Sequence, residues 1–394
     1  MWNNFVYFLK NKKIGAKIGV IFHYTLLGFF SLFFKPIQFF KKEKIYFFED
    51  RPFGIDNAYF LYKYYKKNFP NIESVYLVKN KKDALYKKLE NDKNVVYEFS
   101  LQHFWYFIGA EKLIFSYDTS PFYFFGKLGI FLKKIFKPCT KMVFLQHGVT
   151  KSFIPFFRKE NNIFSGIVVN SQKEEKYFID EFGYNKEDLL VSGFPRFDNL
   201  YKNREKEKQI FFFPTWNSKL AGLTQSSFQK TDYYNKIKEF LESSSLSSWL
   251  EKNKYSLYYY PHQGMAEYVN LFSTKSKNII ILDDNNKENI SIPQLILESS
   301  LLITDYSSIV FDFAYQHKPT LYYNIGENHY PSLSSYFYDF GEKVASLEEI
   351  IEKLNILKKN NFKMQEKYTS NTDNFFEYID SKNCERTSLL INNL

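Results

Sequence analysis

Cysteine is nearly absent from this 394-residue chain: only Cys139 and Cys384 occur, far apart and with no CxxC spacing. That argues against a disulfide framework or a zinc site, and it fits a reducing compartment. The common sequence machines are missing too. No Walker P-loop, Rossmann glycine fingerprint, HExxH or G-x-S-x-G motif occurs, which excludes those routes to chemistry. A small-residue cleavage site after the N-terminal apolar run is also lacking, so no cleavable signal peptide is expected. That run, residues 18–34 (IGVIFHYTLLGFFSLFF), would be roughly 25 Å long as a helix. It is marginal for a membrane span and contains His23.

Acid is missing locally rather than globally. Residues 119–159 carry eight basic side chains and no acid, and residues 1–50 carry eight lysines against Glu43, Glu49 and Asp50. The net charge of +10 is therefore concentrated, and the rest of the chain is slightly acidic. Both basic segments are strongly apolar. In 121–141 (PFYFFGKLGIFLKKIFKPCTK), Leu128, Phe131, Leu132 and Ile135 share one helical face, with Lys127, Lys133, Lys134 and Lys137 mostly elsewhere. An apolar face edged by lysine suits a helix lying in a membrane interface and held by anionic lipid. A core helix with a solvated face is the plainer alternative. Nucleic-acid binding ranks lower, because these apolar runs exceed what stacking on bases needs. The expectation is peripheral membrane association, with no nucleic-acid partner.

The chain is 45% hydrophobic and 21% aromatic, enough for two α/β cores. Short β-rich runs recur at 44–49, 75–78, 95–99, 112–116, 141–146, 166–169 and 189–192. A second series follows at 208–213, 255–260, 279–283, 301–304 and 319–323, with helix-compatible stretches such as 57–67 and 172–182 between. This alternation predicts parallel α/β sheets. The run KNREKEK (202–208) reads as an exposed connector. The expected organisation is a basic apolar segment 1–42, an α/β domain 43–205 that includes the amphipathic 121–141, and a second α/β domain 206–394. Two doubly wound domains would face a cleft. Residues 366–394 are polar and are expected to finish as a peripheral helix.

In open parallel sheets, ligands bind beyond the carboxyl ends of the strands. Five strand ends lead into His147-Gly148, Gly193-Phe194-Pro195-Arg196, Pro214-Thr215-Trp216, Pro261-His262 and Asp305-Tyr306-Ser307-Ser308. Each has a structural excuse: a strand-end histidine can be scaffold, Arg196 can pair with Asp198, and Thr215 can cap. Together they suit transfer at phosphorus. Arginine makes bidentate contacts to phosphate oxygens, a Ser-Ser helix start adds donors, and a neutral histidine removes a proton from a hydroxyl near pH 7. Gly148 would allow close substrate approach. Asp283-Asp284 reads as a turn before a metal site, and His317 carries no catalytic expectation.

The motifs SGFPRFD (192–198), FFPTW (212–216), ITDYSSIVFDFA (303–314) with its following Lys318-Pro319, YFYDF (336–340) and QHGVTKS (146–152) resemble the CDP-glycerol glycerophosphotransferases that build teichoic acids and related capsule polymers. The ordered motifs cover roughly residues 45–350. The resemblance implies a GT-B-like pair of Rossmann-like domains on the cytoplasmic membrane face. It also implies transfer of glycerol phosphate or ribitol phosphate from a CDP-activated donor to a lipid-linked polymer or disaccharide acceptor, with release of CMP. By matched position, His147 becomes the general base on the acceptor hydroxyl. His262, Arg196, Thr215, Thr304, Ser307 and Ser308 would serve the donor. Asp312 would reach the donor ribose or else be a solvent-side helix acid. Gly148 and Lys151 fall on the acceptor side. No protein-bound metal is implied, though Mg²⁺ can accompany the donor phosphates. Gln146, Val149 and Thr150 depart from the family's usual Trp before and Thr-Pro after the His-Gly pair, which leaves the acceptor open. The rival readings are a nucleotide-sugar glycosyltransferase on the same fold and a non-enzymatic polysaccharide-binding protein.

Overall fold

Apolar strands four or so residues long alternate with helices in the computed structural model, which describes residues 44–50, 55–78, 89–98, 100–117, 140–162, 164–202, 207–216, 218–283, 290–325 and 336–394. Segment 1–42 and nearly all of 121–141, the expected membrane-associating stretches, lie outside these residues. The described chain divides into two compact units, one up to Asp198 together with Asp380–Leu394 and the other Asn199–Ile379.

The first unit holds strands β1 (Lys44–Glu49), β2 (Ile72–Val78), β3 (Val95–Tyr97), β4 (Lys112–Phe115), β5 (Lys141–Phe144), β6 (Gly166–Val169) and β7 (Leu189–Val191). They form one sheet in the order β3-β2-β1-β4-β5-β6-β7, and every pairing is parallel. Parallel strands are covered on both faces, so they read as unbroken apolar runs. IYFF in β1 and IVV in β6 are buried throughout. Helix α1 (Asn57–Asn68) packs Ala58, Leu61, Tyr62 and Tyr65 inward, where Tyr62 meets Tyr76 of β2 with ring centroids 5.3 Å apart. Helix α2 (Leu101–Gly109) is capped by the Ser100 hydroxyl and α3 (Gln172–Phe182) by Ser171. The latter ends at Gly183, whose φ of +74° suits a left-handed helix stop.

The second unit holds β8 (Gln209–Phe212), β9 (Ser256–Tyr259), β10 (Ile279–Ile281), β11 (Leu301–Thr304), β12 (Thr320–Tyr323) and β13 (Glu342–Val344). Its order is β10-β9-β8-β11-β12-β13, again all parallel. Helices α4 (Asp232–Glu242), α5 (Ser244–Asn253), α6 (Ile292–Glu298), α7 (Val310–Tyr315) and α8 (Leu347–Lys359) flank it. Phe212, Phe240, Tyr259, Leu301 and Ile350 are among its fully buried side chains. In each sheet the order reverses beside the first strand. The switch points therefore lie between β1 and β4 and between β8 and β11, where open α/β sheets bind ligands.

Two features differ from expectation. β13 is short, and only Val344 of its three residues is buried; that leaves no apolar run to read. Residues 366–394 form two helices rather than one peripheral end, Glu366–Phe375 in the second unit and Asn383–Asn392 in the first. The expected second domain running to residue 394 thus gives up its tail. The last helix buries Asn383, Cys384, Thr387, Ser388 and Ile391, a mostly polar inner face. Its polarity is satisfied by the protein instead of water. Among the described residues no helix is long and apolar enough to cross a membrane.

Candidate active site

In the first unit the chain leaves β5 through Leu145 and Gln146. Gln146 is buried with φ of +59°, an uncommon conformation for a residue with a Cβ. Its carboxamide holds it there. Nε2 donates to the Val168 carbonyl (2.7 Å) and to Glu174 (2.9 Å), while Oε1 accepts from the Thr150 amide (3.2 Å) and hydroxyl (2.7 Å). Burial pushes the Glu174 carboxyl up, and the Asn170 amide and side chain help to satisfy it. This polar knot turns the next side chain, His147, outward; it is 45% exposed.

His147 Nδ1 is bonded to Oδ2 of Asp56, the N-cap of α1. The other oxygen of Asp56 accepts from Arg196 Nη1 at 3.0 Å, and the same nitrogen donates to the His147 carbonyl at 2.9 Å. Asn57 completes the grip: its Nδ2 donates to the Gln146 carbonyl (2.8 Å) and its Oδ1 accepts from the Arg196 amide (3.1 Å). Burial works against ionisation of Asp56, but the His147 and Arg196 charges and the bonds from His147 and Asn57 hold its carboxyl below the usual range. A carboxylate on Nδ1 keeps the proton there, so the neutral ring carries its lone pair on Nε2. The Arg196 guanidinium lies 4.9 and 5.2 Å from the Phe194 and Phe197 rings, a packing that restricts it further.

The rest of SGFPRFD holds the last helix. Asp198 accepts from the Asn383 amide (2.7 Å) and side chain (2.9 Å) and from the Cys384 amide (2.9 Å). Ser192 meets Thr387 at 2.8 Å. Gly193 has φ of +79°, and a Cβ there would fall 2.0 Å from Asn383 Oδ1. Only glycine fits that close approach.

In the second unit the β8 and β11 ends are tied together. Asp305 Oδ1 accepts from the Thr215 amide (2.9 Å), the Thr215 hydroxyl (2.5 Å) and the Tyr306 amide (2.6 Å). Thr304 is buried and donates its hydroxyl to the Phe213 carbonyl at 2.6 Å. Ser307 and Ser308 are half-buried in the turn before α7, whose cap position is Ile309 with no side-chain cap. At the β9 end His262 is half-buried and its Nδ1 accepts from the Gly264 amide at 3.1 Å. That bond puts the proton of the neutral ring on Nε2, opposite to His147. The Trp216 ring lies nearly parallel to His262, at 4° with centroids 6.4 Å apart. Gly264 makes room for it, since a Cβ would come within 2.5 Å of the indole nitrogen.

The structure brings His147 and Arg196 together, and it sets His262, Thr215, Thr304, Ser307 and Ser308 around strand ends of the other sheet. Arg196, expected among the donor-phosphate residues, lies on Asp56 and His147 within the first unit. Asp312 is 2% exposed on a fully buried α7, so it is not a solvent-side acid. Gly148 and Lys151 are half-buried on the loop after His147. Sequence reasoning missed Asp56 and Asn57, and it placed Asp305 in a strand-end turn without giving it a role. The strand-end rule would have found the first two had it been applied to β1, whose following segment carries Asp50, Asp56 and Asn57. Among the described residues no group of three or more His, Cys, Asp or Glu side chains is placed to hold a metal ion.

Comparison with known proteins bears on this geometry. The family model of CDP-glycerol:poly(glycerophosphate) glycerophosphotransferase matches residues 30–393. The minor teichoic acid biosynthesis protein GgaB of Bacillus subtilis is 28% identical over 366 residues, covering 88% of this chain and 39% of that protein. The chain thus spans about two fifths of that relative. A teichoic acid poly(glycerol phosphate) polymerase of Bacillus spizizenii is 27% identical, covering 91% of this chain and 95% of its own length. Among solved structures, the wall teichoic acid polymerase TagF superposes with a TM-score of 0.65 at 18% identity, covering 100% of this chain and 98% of that one. That likeness establishes a GT-B-like α/β fold with parallel sheets.

Proposed function

The chain belongs to the CDP-glycerol:poly(glycerophosphate) glycerophosphotransferase family, and from that premise we propose that it transfers glycerol phosphate or ribitol phosphate from a CDP-activated donor to a hydroxyl of a membrane-linked acceptor in teichoic acid synthesis, releasing CMP. The observation that carries this reading is that the two histidines are held at Nδ1 by partners of opposite kind, His147 by the Asp56 carboxylate and His262 by the Gly264 N–H. Such partners favour a basic Nε2 on His147 and an Nε2–H donor on His262.

In this reading the acceptor hydroxyl loses its proton to His147 Nε2 as its oxygen attacks the β-phosphorus. The bond from that phosphorus to the bridging oxygen breaks, and the electron pair leaves with CMP. His262 Nε2–H, the Ser307 and Ser308 hydroxyls and the α7 approach serve the diphosphate, whose charge builds on the bridging oxygen. Thr215 and Thr304, with their hydroxyls given to Asp305 and Phe213, act by shaping that loop. Gly148 and Lys151 belong to the acceptor side, and Asp312 supports α7 from within. Mg²⁺ carried on the donor diphosphate is compatible with these roles. Peripheral attachment to the cytoplasmic face of the membrane would rest on 1–42 and 121–141 and on anionic lipid.

The test is CMP release from CDP-glycerol and, separately, CDP-ribitol, with a lipid-linked acceptor. Release from one of them, abolished by His147→Ala with donor binding nearly intact, is the expected result. Silence with both, in folded protein that turns over a nucleotide sugar, would overturn the reading in favour of a glycosyltransferase.

A further inference from the structure

Two neighbouring residues at the start of α1 reach two separate segments of the chain. Asp56 holds the ring of His147 with one carboxylate oxygen and Arg196 with the other. Asn57 holds the backbone on either flank, the carbonyl of Gln146 and the amide of Arg196. Arg196 closes the loop by donating to the carbonyl of His147 itself. The ring and main chain of His147 are thus fixed from one helix end about ninety residues earlier in the sequence. An N-cap needs none of this: the bond from the Asn57 amide to Asp56 Oδ1 (2.8 Å) would serve.

We propose that Asp56 is the positioning residue of the base, fixing the ring orientation and the Nδ1–H tautomer of His147, and that Asn57 and Arg196 hold the main chain so that Nε2 faces the acceptor. This rests on the proposed function for its chemistry but not for its geometry. A carboxylate behind an imidazole sets the tautomer and stabilises the imidazolium formed when the proton arrives. Asp56 lies behind the ring at Nδ1 and holds Arg196 with its other oxygen, so its effect on the base runs through His147 and Arg196.

The first measurement needs no substrate. Nitrogen-15 NMR of imidazole-labelled wild-type protein, at a pH where the ring is neutral, should show His147 as the Nδ1–H tautomer. Asp56→Asn keeps an equally good N-cap but removes the negative charge, and it should leave a mixture of tautomers or the Nε2–H form. Its kcat should fall on the order of 10²-fold, the scale of general-base catalysis, with the donor KM nearly unchanged. An Nε2–H ring in wild type, or an Asp56→Asn protein with unaltered tautomer and kcat, would overturn the proposal. If Asp56→Asn does not fold, the wild-type tautomer decides. If neither CDP-polyol is a substrate, the function fails while the tautomer still tests Asp56.

Discussion

The two switch points solve one problem with the same residue type in different ways. In the first sheet Asp50, just after β1, accepts from the amides of Asp56 (3.2 Å), Ala58 (3.1 Å) and Tyr59 (2.8 Å), from Tyr76 OH (2.8 Å) and from the Ser116 hydroxyl after β4 (2.5 Å). Both of its oxygens are engaged. The first turn of α1, where such folds commonly seat an anion, is already filled by the protein's own carboxylate. In the second sheet the acid stands after the other strand. Asp305 follows β11 and reaches back to Thr215 after β8, using one oxygen only; its Oδ2 is buried with no hydrogen-bond partner. The Tyr233 and Tyr259 hydroxyls are likewise buried and unpartnered. One switch point is saturated and the other is not. In the proposed function the saturated switch point belongs to the unit carrying the base and the unsaturated one to the unit proposed to hold the donor.

Replacing each acid by its amide tests the contrast most strongly. In Asp50→Asn, at pH 8, an –NH₂ must face either the Asp56 and Tyr59 amides and the Tyr76 hydroxyl or the Ala58 amide and the Ser116 hydroxyl, all of them donors to the acid. The expected loss is about 3 kcal/mol, since a buried donor left unmet costs about 1–3 kcal/mol. Asp305→Asn keeps the carbonyl oxygen on Thr215 and Tyr306 and turns the amide to the unpartnered side. It should lie within about 1 kcal/mol of wild type. Urea denaturation of the full chain measures both. Equal losses would mean that the two switch points are equivalently satisfied.

A pH series sharpens the same comparison. Burial, and then the Asp56 charge, push the Asp50 carboxyl up to about 7 in spite of its donors. The folded state therefore binds that proton more tightly than the unfolded chain, whose carboxylates titrate near about 4. Its contribution is complete below that value and is lost as pH rises through about 7. Asp56, held low by His147 and Arg196, has the opposite sign: its contribution is present above about 4 and is lost as pH falls through its folded value. The difference in unfolding free energy between wild type and Asp50→Asn should shift between about pH 4 and 7, wild type losing ground as pH rises. A difference independent of pH across that window would remove Asp50 from the titration.

Much of this frame was legible in the residues. Runs such as KIYFFE, GIVV and LLIT are buried on both faces and announce parallel strands. Strand-end reading led to His147, His262 and the Asp305-to-Ser308 turn. Asp56 was not legible, because an acid before a helix reads as a cap, and it is a cap. Its bonds to His147 and Arg196 join positions 91 and 140 residues apart, which no local pattern encodes. The last helix was hidden for a different reason. Thr387, Ser388 and Asn383 look like solvent-facing residues until Ser192 and Asp198 partner the first and the last and the Ser388 hydroxyl turns back to the Glu385 carbonyl.

A smaller effect extends the comparison away from the switch points. Among the described residues each unit buries one lysine, and its ammonium meets carbonyls at a helix end. Lys112 donates to Ile391 in the last helix at 2.5 Å, and Lys318 donates to Ile296 at 2.9 Å and also to Leu297 in α6. A cation there satisfies carbonyls that the helix leaves open and opposes its negative end. Burial lowers the Lys112 ammonium from its ordinary value despite nearby Glu111, so its carbonyl bond must offset a desolvation cost. Methionine keeps the stem and removes the donor. Lys318→Met, losing two carbonyl bonds, should cost about 2 kcal/mol, and Lys112→Met, losing one and relieving that desolvation, about 1 kcal/mol. Hydrogen exchange should speed up in α6 for the first variant and in helix Asn383–Asn392 for the second. A larger loss from Lys112→Met would mean that docking of the last helix, and through Ser192 and Asp198 the segment carrying Arg196, depends on that single ammonium more than on the Asp198 cap.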